Sequence, residues 1–265
     1  MQPLLTAVHS LHLESDRGWN LLSRTDLGSP GRLIAIEGID GSGKRTQLDL
    51  LTATLNDTGV SVYSTGFPQY QSWFGKMVGQ FLNGELGSLE SVDPHFSSLL
   101  YAGDRFEAKN KIVGALNEGK IVLIDRYIGS NLAHQTARVA PQKREEFGRW
   151  IRHLEYDIYD LPSEDRVIYL RIPPSEAQKL VNQKSQRSYT DAKQDLLEAS
   201  LRHLQEAADM YDQLSRESPW IKIECFDPSR NAVRPPADIA KEVWAAVQPV
   251  IASHVASAAS KSGAR

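Results

Sequence analysis

The stretch Glu37-Gly38-Ile39-Asp40-Gly41-Ser42-Gly43-Lys44-Arg45-Thr46-Gln47 limits the possible folds more than any other part of the chain. It follows an apolar run, Leu33 to Ile36, and precedes leucines at 48, 51 and 55 that share a helix face, with Gly59 where a helix would stop. A glycine-rich turn therefore joins a buried strand to a helix. Glycines let the backbone curl until successive N–H groups point inward, the helix start adds positive potential, and Lys44 can reach outer phosphates. The G-x-x-x-x-G-K spacing in this setting predicts a loop for a nucleoside triphosphate. The strict pattern has Ser or Thr after the lysine to ligate magnesium, but Arg45 stands there and Thr46 one place later. Metal duty is expected to shift elsewhere.

Further apolar runs, Val60–Tyr63, Ile121–Ile124, Val167–Leu170 and Ile221–Cys225, read as strands, most of them too uniformly apolar for a sheet with one wet face. Between them lie helical stripes: Phe147, Trp150, Ile151, Leu154 and Ile158, then Leu197, Leu201, Leu204, Ala208 and Tyr211. Strands alternating with helices imply crossover units, and so an α/β fold with a parallel sheet covered on both faces. Ligands of such sheets collect beyond the carboxyl ends of the strands. The 265 residues are 41% hydrophobic and 24% charged, ordinary for a globular domain with a real core. A net charge of −3 argues against a general nucleic-acid surface, so phosphate chemistry must come from local clusters. No apolar run has membrane-spanning length, residues 1–30 lack a secretory pattern, and the single cysteine, Cys225, fits a reduced compartment. The expectation is a cytoplasmic protein with neither nucleic acid nor membrane as partner.

The third strand ends in Asp125-Arg126-Tyr127, a carboxylate and a guanidinium suited to organising a metal and clamping a phosphate. Phe67-Pro68-Gln69-Tyr70 follows the second strand. Tyr101 and Arg105 are four apart, so on a helix they share a face where a ring can stack on a base and a guanidinium can bond a carbonyl edge, although such aromatics are more often core.

These blocks, in this order and together with Asp104-Arg105, Ser130-Asn131 and Leu161-Pro162, resemble the signature of the thymidylate kinase family over about residues 32–248. The resemblance implies transfer of the terminal phosphoryl group of ATP to dTMP with Mg2+, giving dTDP and ADP for dTTP synthesis. The implied fold is a three-layer sandwich around a five-stranded parallel sheet, the P-loop nucleoside monophosphate kinase architecture, in a homodimer. By that resemblance Gly38, Ile39, Asp40, Gly41, Ser42, Gly43, Lys44, Arg45 and Thr46 hold the ATP phosphates. Asp40 approaches the sugar 3′-hydroxyl and the metal, Phe67 and Tyr70 border the sugar, Tyr101 stacks on thymine and Arg105 bonds its edge. Arg126 grips the acceptor phosphate, Ser130 and Asn131 face the base, and His134 lies where a 2′-hydroxyl would be crowded.

An arginine or lysine that arrives as the site closes stabilises the transferring phosphoryl group most. The polar segment 182–191 reads as a lid, with Lys184 and Arg187 as its candidates; Gly41 in the loop matches the family arrangement that places basic residues in the lid. Glu198 is a further metal candidate beside Asp40 and Asp125. Residues 1–31 are expected to be an extension and 249–265 a flexible tail. Arg45, the missing second proline after Pro162, and Ser200 where an acidic residue is common depart from the family pattern. A deoxynucleoside kinase, another nucleoside monophosphate kinase, or a nucleotide-binding regulator without turnover remains as an alternative.

Overall fold

The apolar runs become one sheet. In a computed structural model that describes residues 31–182, 197 and 200–262, the strands of that sheet are β1 (Arg32–Glu37), β2 (Val62–Gly66), β3 (Ile121–Asp125), β4 (Arg166–Arg171) and β5 (Trp220–Glu224). They are all parallel, in the order β2-β3-β1-β4-β5. Helix α1 (Lys44–Asp57) crosses from β1 to β2. Helices α2 (Trp73–Leu82) and α3 (Pro94–Asn117) lead to β3, and α4 (Ile128–Thr136) and α5 (Arg144–Arg152) to β4. Then α6 (Pro174–Asn182) and α7 (Leu201–Leu214) lead to β5, and α8 (Pro236–Ser262) closes the fold.

The first crossover moves one way along the sheet and the later ones move the other. With right-handed crossovers this places α1 on one face and α3, α4 and α7 on the opposite face, while α8 packs beside α1. The sheet is buried on both sides, which explains strands such as Ile121–Ile124 whose side chains are all inaccessible. Ile36 pairs with Asp125, and Asp125 in turn with Gly66, so the carboxyl ends of the three strands that carry the motifs meet at one edge.

Several expected boundaries change. Val60 N donates to Leu55 O and closes α1, so β2 starts at Val62, and β5 runs over 220–224 instead of 221–225. The stripe from Phe147 to Ile158 breaks because α5 gives way to a π-helical turn, His153–Ile158, whose wider winding rotates Ile158 out to 61% exposure. Of the last stripe, Leu204, Ala208 and Tyr211 are buried on α7. Leu201 lies exposed at its start, and Leu197 precedes the helix and packs with Val78, Phe81 and Leu100 instead. Part of the segment 249–265 expected as a tail is helical: α8 runs through Pro249 to Ser262, and Val243, Val247 and Ile251 keep a core-facing period of four as far as Ile251. Residues 1–30 and 183–196, which include nearly all of the expected extension and lid, lie outside the described residues.

Candidate active site

The glycine-rich turn leaves β1 at the middle of the sheet. Gly41 adopts φ 86°, and a Cβ there would lie 2.3 Å from Ala177 O, so α6 packs against bare backbone. Gly43 caps α1 at φ 90° with no side chain bonded to the first turn, and nothing lies within 4 Å of where its Cβ would be. No side chain therefore occupies the N-cap role at the start of α1, and a helix start left without a side-chain cap is suited to binding an anion. Lys44 Nζ donates to Gly38 O and Ile39 O, each at 2.9 Å, folding the side chain over the loop. Burial, then the Arg126 charge, lowers its pKa from 10.5 to about 8. Arg45 turns away to pair with Asp49 at 3.0 Å on the exposed side of α1, and Thr46 is exposed too, so neither side chain joins the loop.

Across the loop, Arg126 N donates to Ile36 O and the residue takes φ 64°. A non-glycine residue there costs about 1–2 kcal/mol, and strain of this kind gathers at functional sites. Its guanidinium reaches Asp40 Oδ1 at 2.6 Å, Gly38 O at 3.3 Å and Ser130 Oγ at 3.3 Å. Asp40 therefore ties the phosphate loop to the end of β3. Burial works against the guanidinium charge, but Asp40 and other neighbours outweigh it and hold the pKa well above its ordinary value.

Glu37, the last residue of β1, is wholly buried. Its carboxylate accepts from Tyr127 N at 2.7 Å, Ser130 N at 3.0 Å, Ser130 Oγ at 2.6 Å and Tyr211 OH at 3.0 Å. Tyr127 caps α4 without a side-chain bond of its own, so Glu37 supplies the cap from the neighbouring strand. The same helix carries Ser130, Asn131 and His134.

These residues line a partly open cleft, together with Asp40, Phe67, Tyr70, Leu82, Tyr101, Arg105, Arg126, Gln135 and Leu197. Its far wall is α3, where Tyr101 packs edge-on against Phe81. Asp104 accepts from Gln69 N at 2.8 Å and Ser72 Oγ at 2.7 Å, fastening the Phe67–Tyr70 loop to that wall. Arg105 is 1% exposed and bound bidentately by Glu155 of the π-helical turn, at 2.5 and 2.7 Å. His134 Nδ1 lies 3.3 Å from His203 Nε2 on α7. Burial, followed by the Arg126 and His203 charges, drives the His134 pKa well below its usual value.

Asp125 keeps a buried Oδ1 with no partner beside the loop. No group of three or more potential metal ligands exists among the described residues. That combination suits magnesium, which takes one or two carboxylates and completes its shell with phosphate and water. Lys184, Arg187 and Glu198 lie outside the described residues.

The geometry agrees with comparisons to known proteins. The thymidylate kinase family profile matches residues 36–234. The chain belongs to the thymidylate kinase family. The thymidylate kinase of Mycobacterium tuberculosis is 31% identical over 205 residues, covering 76% of this chain and 95% of that one. The thymidylate kinase of Plasmodium falciparum is 28% identical over 219 residues, covering 83% and 92%. The structure of thymidylate kinase from Candida albicans superposes with a TM-score of 0.64 at 20% identity, covering 85% of this chain and 94% of that one, and shares the fold.

Within this thymidylate kinase fold, Asp40, Phe67, Tyr70, Tyr101, Arg105, Arg126, Ser130, Asn131 and His134 all come together in one cleft. Glu37, Glu155 and His203 escaped the sequence reading as partners of the site. Glu37 left a signal, a carboxylate inside a buried strand, which demands partners. Glu155 left none, being 50 residues from Arg105 in sequence.

Proposed function

We infer that this chain transfers the terminal phosphoryl group of ATP to dTMP, giving dTDP and ADP in the synthesis of dTTP. The observation that carries the reading is the Asp40–Arg126 pair at 2.6 Å, which belongs at once to the phosphate loop and to the cleft beyond it. Two nucleotides bound on either side of that pair meet phosphate to phosphate.

The loop amides from Gly38 to Thr46 and the first turn of α1 hold the ATP phosphates. Lys44 exchanges its two carbonyl partners for the outer phosphates, where anionic oxygens restore the charge that burial disfavours. Arg126 clamps the dTMP phosphate, with Asp40 holding the guanidinium in line and facing the sugar 3′-hydroxyl. Phe67 and Tyr70 border the sugar, Tyr101 stacks on the base, and Arg105, Ser130, Asn131 and His134 surround its edge and the sugar. The acceptor oxygen is already an anion, so no residue serves as general base, and catalysis consists of alignment and charge neutralisation. Asp125 and Asp40 are the described carboxylates suited to Mg2+, with Glu198 as a further candidate; when bound, the ion neutralises phosphate oxygens. Lys184 and Arg187 are proposed to complete the neutralisation from the lid.

An apolar stripe on α3, Phe96, Leu99 and Phe106, continues into Trp73 at 65% exposure and Ile158 at 61%. Such a face supports a homodimer through α2 and α3. No described helix is long and apolar enough to cross a membrane. The cytoplasm is the proposed compartment.

The test is a coupled ADP-release assay across nucleoside monophosphates and thymidine. The expected result is fastest turnover with dTMP. Faster phosphorylation of thymidine than of dTMP would refute the reading, and ATP binding without ADP release would favour a regulator.

A further inference from the structure

Three side chains around the base end of the cleft form one buried unit. Glu155 is 0% exposed, Arg105 1% and Asn131 2%. Glu155 takes Arg105 Nε on Oε2 at 2.5 Å and Nη2 on Oε1 at 2.7 Å, and the same Oε1 accepts Asn131 Nδ2 at 2.8 Å. Asn131 Nδ2 also donates to Ser98 O at 3.2 Å. Both partners of that amide nitrogen, a carboxylate and a carbonyl, can only accept. The amide of Asn131 therefore has one permitted orientation: its NH2 points to Glu155 and Ser98, and its oxygen points the other way. That oxygen, Oδ1, is buried and has no partner, in a residue that lines the cleft. The carboxylate thus holds a guanidinium donor and turns an amide so that it offers only an acceptor.

We propose that Glu155 is the positioning residue that decides which pyrimidine this cleft accepts, by locking Arg105 as donor and Asn131 Oδ1 as acceptor. The proposal rests on the dTMP reading above, in which Arg105 and Asn131 meet the base edge. Thymine and uracil present a carbonyl next to a ring N–H, which complements a donor beside an acceptor. Cytosine presents an amino group next to a bare ring nitrogen, so a donor meets a donor and an acceptor meets a lone pair. Unpaired buried polar groups of this kind are what give a site strong discrimination. The π-helical turn His153–Ile158 belongs to the same device, because it carries Glu155 into the interior where a regular helix had been expected to present only its apolar stripe.

The test uses the full chain and compares kcat/KM for dTMP and dCMP in the wild type and in Glu155→Gln. Glutamine has the same shape but offers an NH2 of its own, so the Asn131 amide can turn over. The expected result is a fall in the dTMP-to-dCMP ratio of about tenfold or more, carried by KM for dTMP, with ATP affinity unchanged. An unchanged ratio, or equal losses for dTMP, dCMP and ATP binding, would overturn the proposal and leave Glu155 a structural residue. If Glu155→Gln does not fold, the Asn131 side-chain NH2 is followed by 1H–15N NMR in the wild type as dTMP is added. The NH2 is expected to keep its exchange protection in both states, because it stays bonded to Glu155 and Ser98; loss or transfer of that protection on binding would overturn the proposal. A wild type that turns over no dTMP would instead defeat the functional reading itself, which keeps the two failures apart.

Discussion

Replacing His203 by glutamine isolates a pH-dependent contribution to stability whose size follows from the structure. The imidazole packs 3.3 Å from His134 at 6% exposure, within the influence of the Arg138, Glu206 and Asp40 charges. Burial first, then the Arg138 charge, lowers its pKa from 6.5 to about 4. Below the unfolded pKa the unfolded chain takes a proton that the folded chain refuses. The contribution is therefore fully present above that value and is lost as pH falls toward the folded one. At about pH 5 the loss is about 2 kcal/mol relative to about pH 7.5. Glu164 opposes it: burial lifts that carboxyl from 4.5 to about 7, so the folded state gains a proton in the same range and stability there rises as pH falls. The wild-type profile alone would mix the two. Glutamine cannot titrate and still offers an NH2 to His134 Nδ1, so the difference between wild type and His203→Gln reports the imidazole. Urea unfolding at both pH values should show the wild type losing about 2 kcal/mol more than the variant between them. Parallel losses would show that His203 is not held neutral by burial and would refute the argument.

Three other outcomes follow from the same geometry. Lys44→Ala should reduce kcat by about 100-fold or more with the fold intact by circular dichroism, because under the proposed function it removes a charge that meets the transferring phosphate; near-normal turnover would contradict the loop assignment. Gly41→Ala should abolish ATP binding or destabilise the chain by about 1–3 kcal/mol, since its Cβ meets Ala177 O at 2.3 Å and φ is 86°; calorimetry with ATP and thermal unfolding would show which. Trp73→Asp combined with Phe106→Asp should leave the protein a monomer by light scattering, as charges enter an apolar face that is otherwise exposed; an unchanged dimer would place the interface elsewhere.

Much of this protein is written in local sequence. The phosphate loop announces itself because glycine conformation, helix-start amides and a lysine act within a few residues of one another. The parallel sheet follows from runs such as Ile121–Ile124 that have no wet face, and the clustering of Asp125, Arg126 and Phe67 follows from strand ends alone. Sequence reasoning failed where the deciding partner is remote or the helix changes its winding. Ile158 leaves its stripe because the π-helical turn breaks the period on which the stripe was read. Residues beyond 249 continue α8 because Ile251 finds the core, which a segment rich in Ala, Ser and Lys does not reveal.

Residue type and spacing by themselves determined the fold class, the glycine-rich turn between β1 and α1 and the order of the motifs, since each depends on forces acting over one turn or one strand. Only the tertiary structure decided how the site is held: that Glu37 caps α4 from β1, that Asp40 joins the loop to Arg126, and that Glu155 orients Arg105 and Asn131 together. Hydrogen bonds depend on angle and on distances of tenths of an ångström, and partners tens of residues apart reach that precision only after the sheet and its helices have packed.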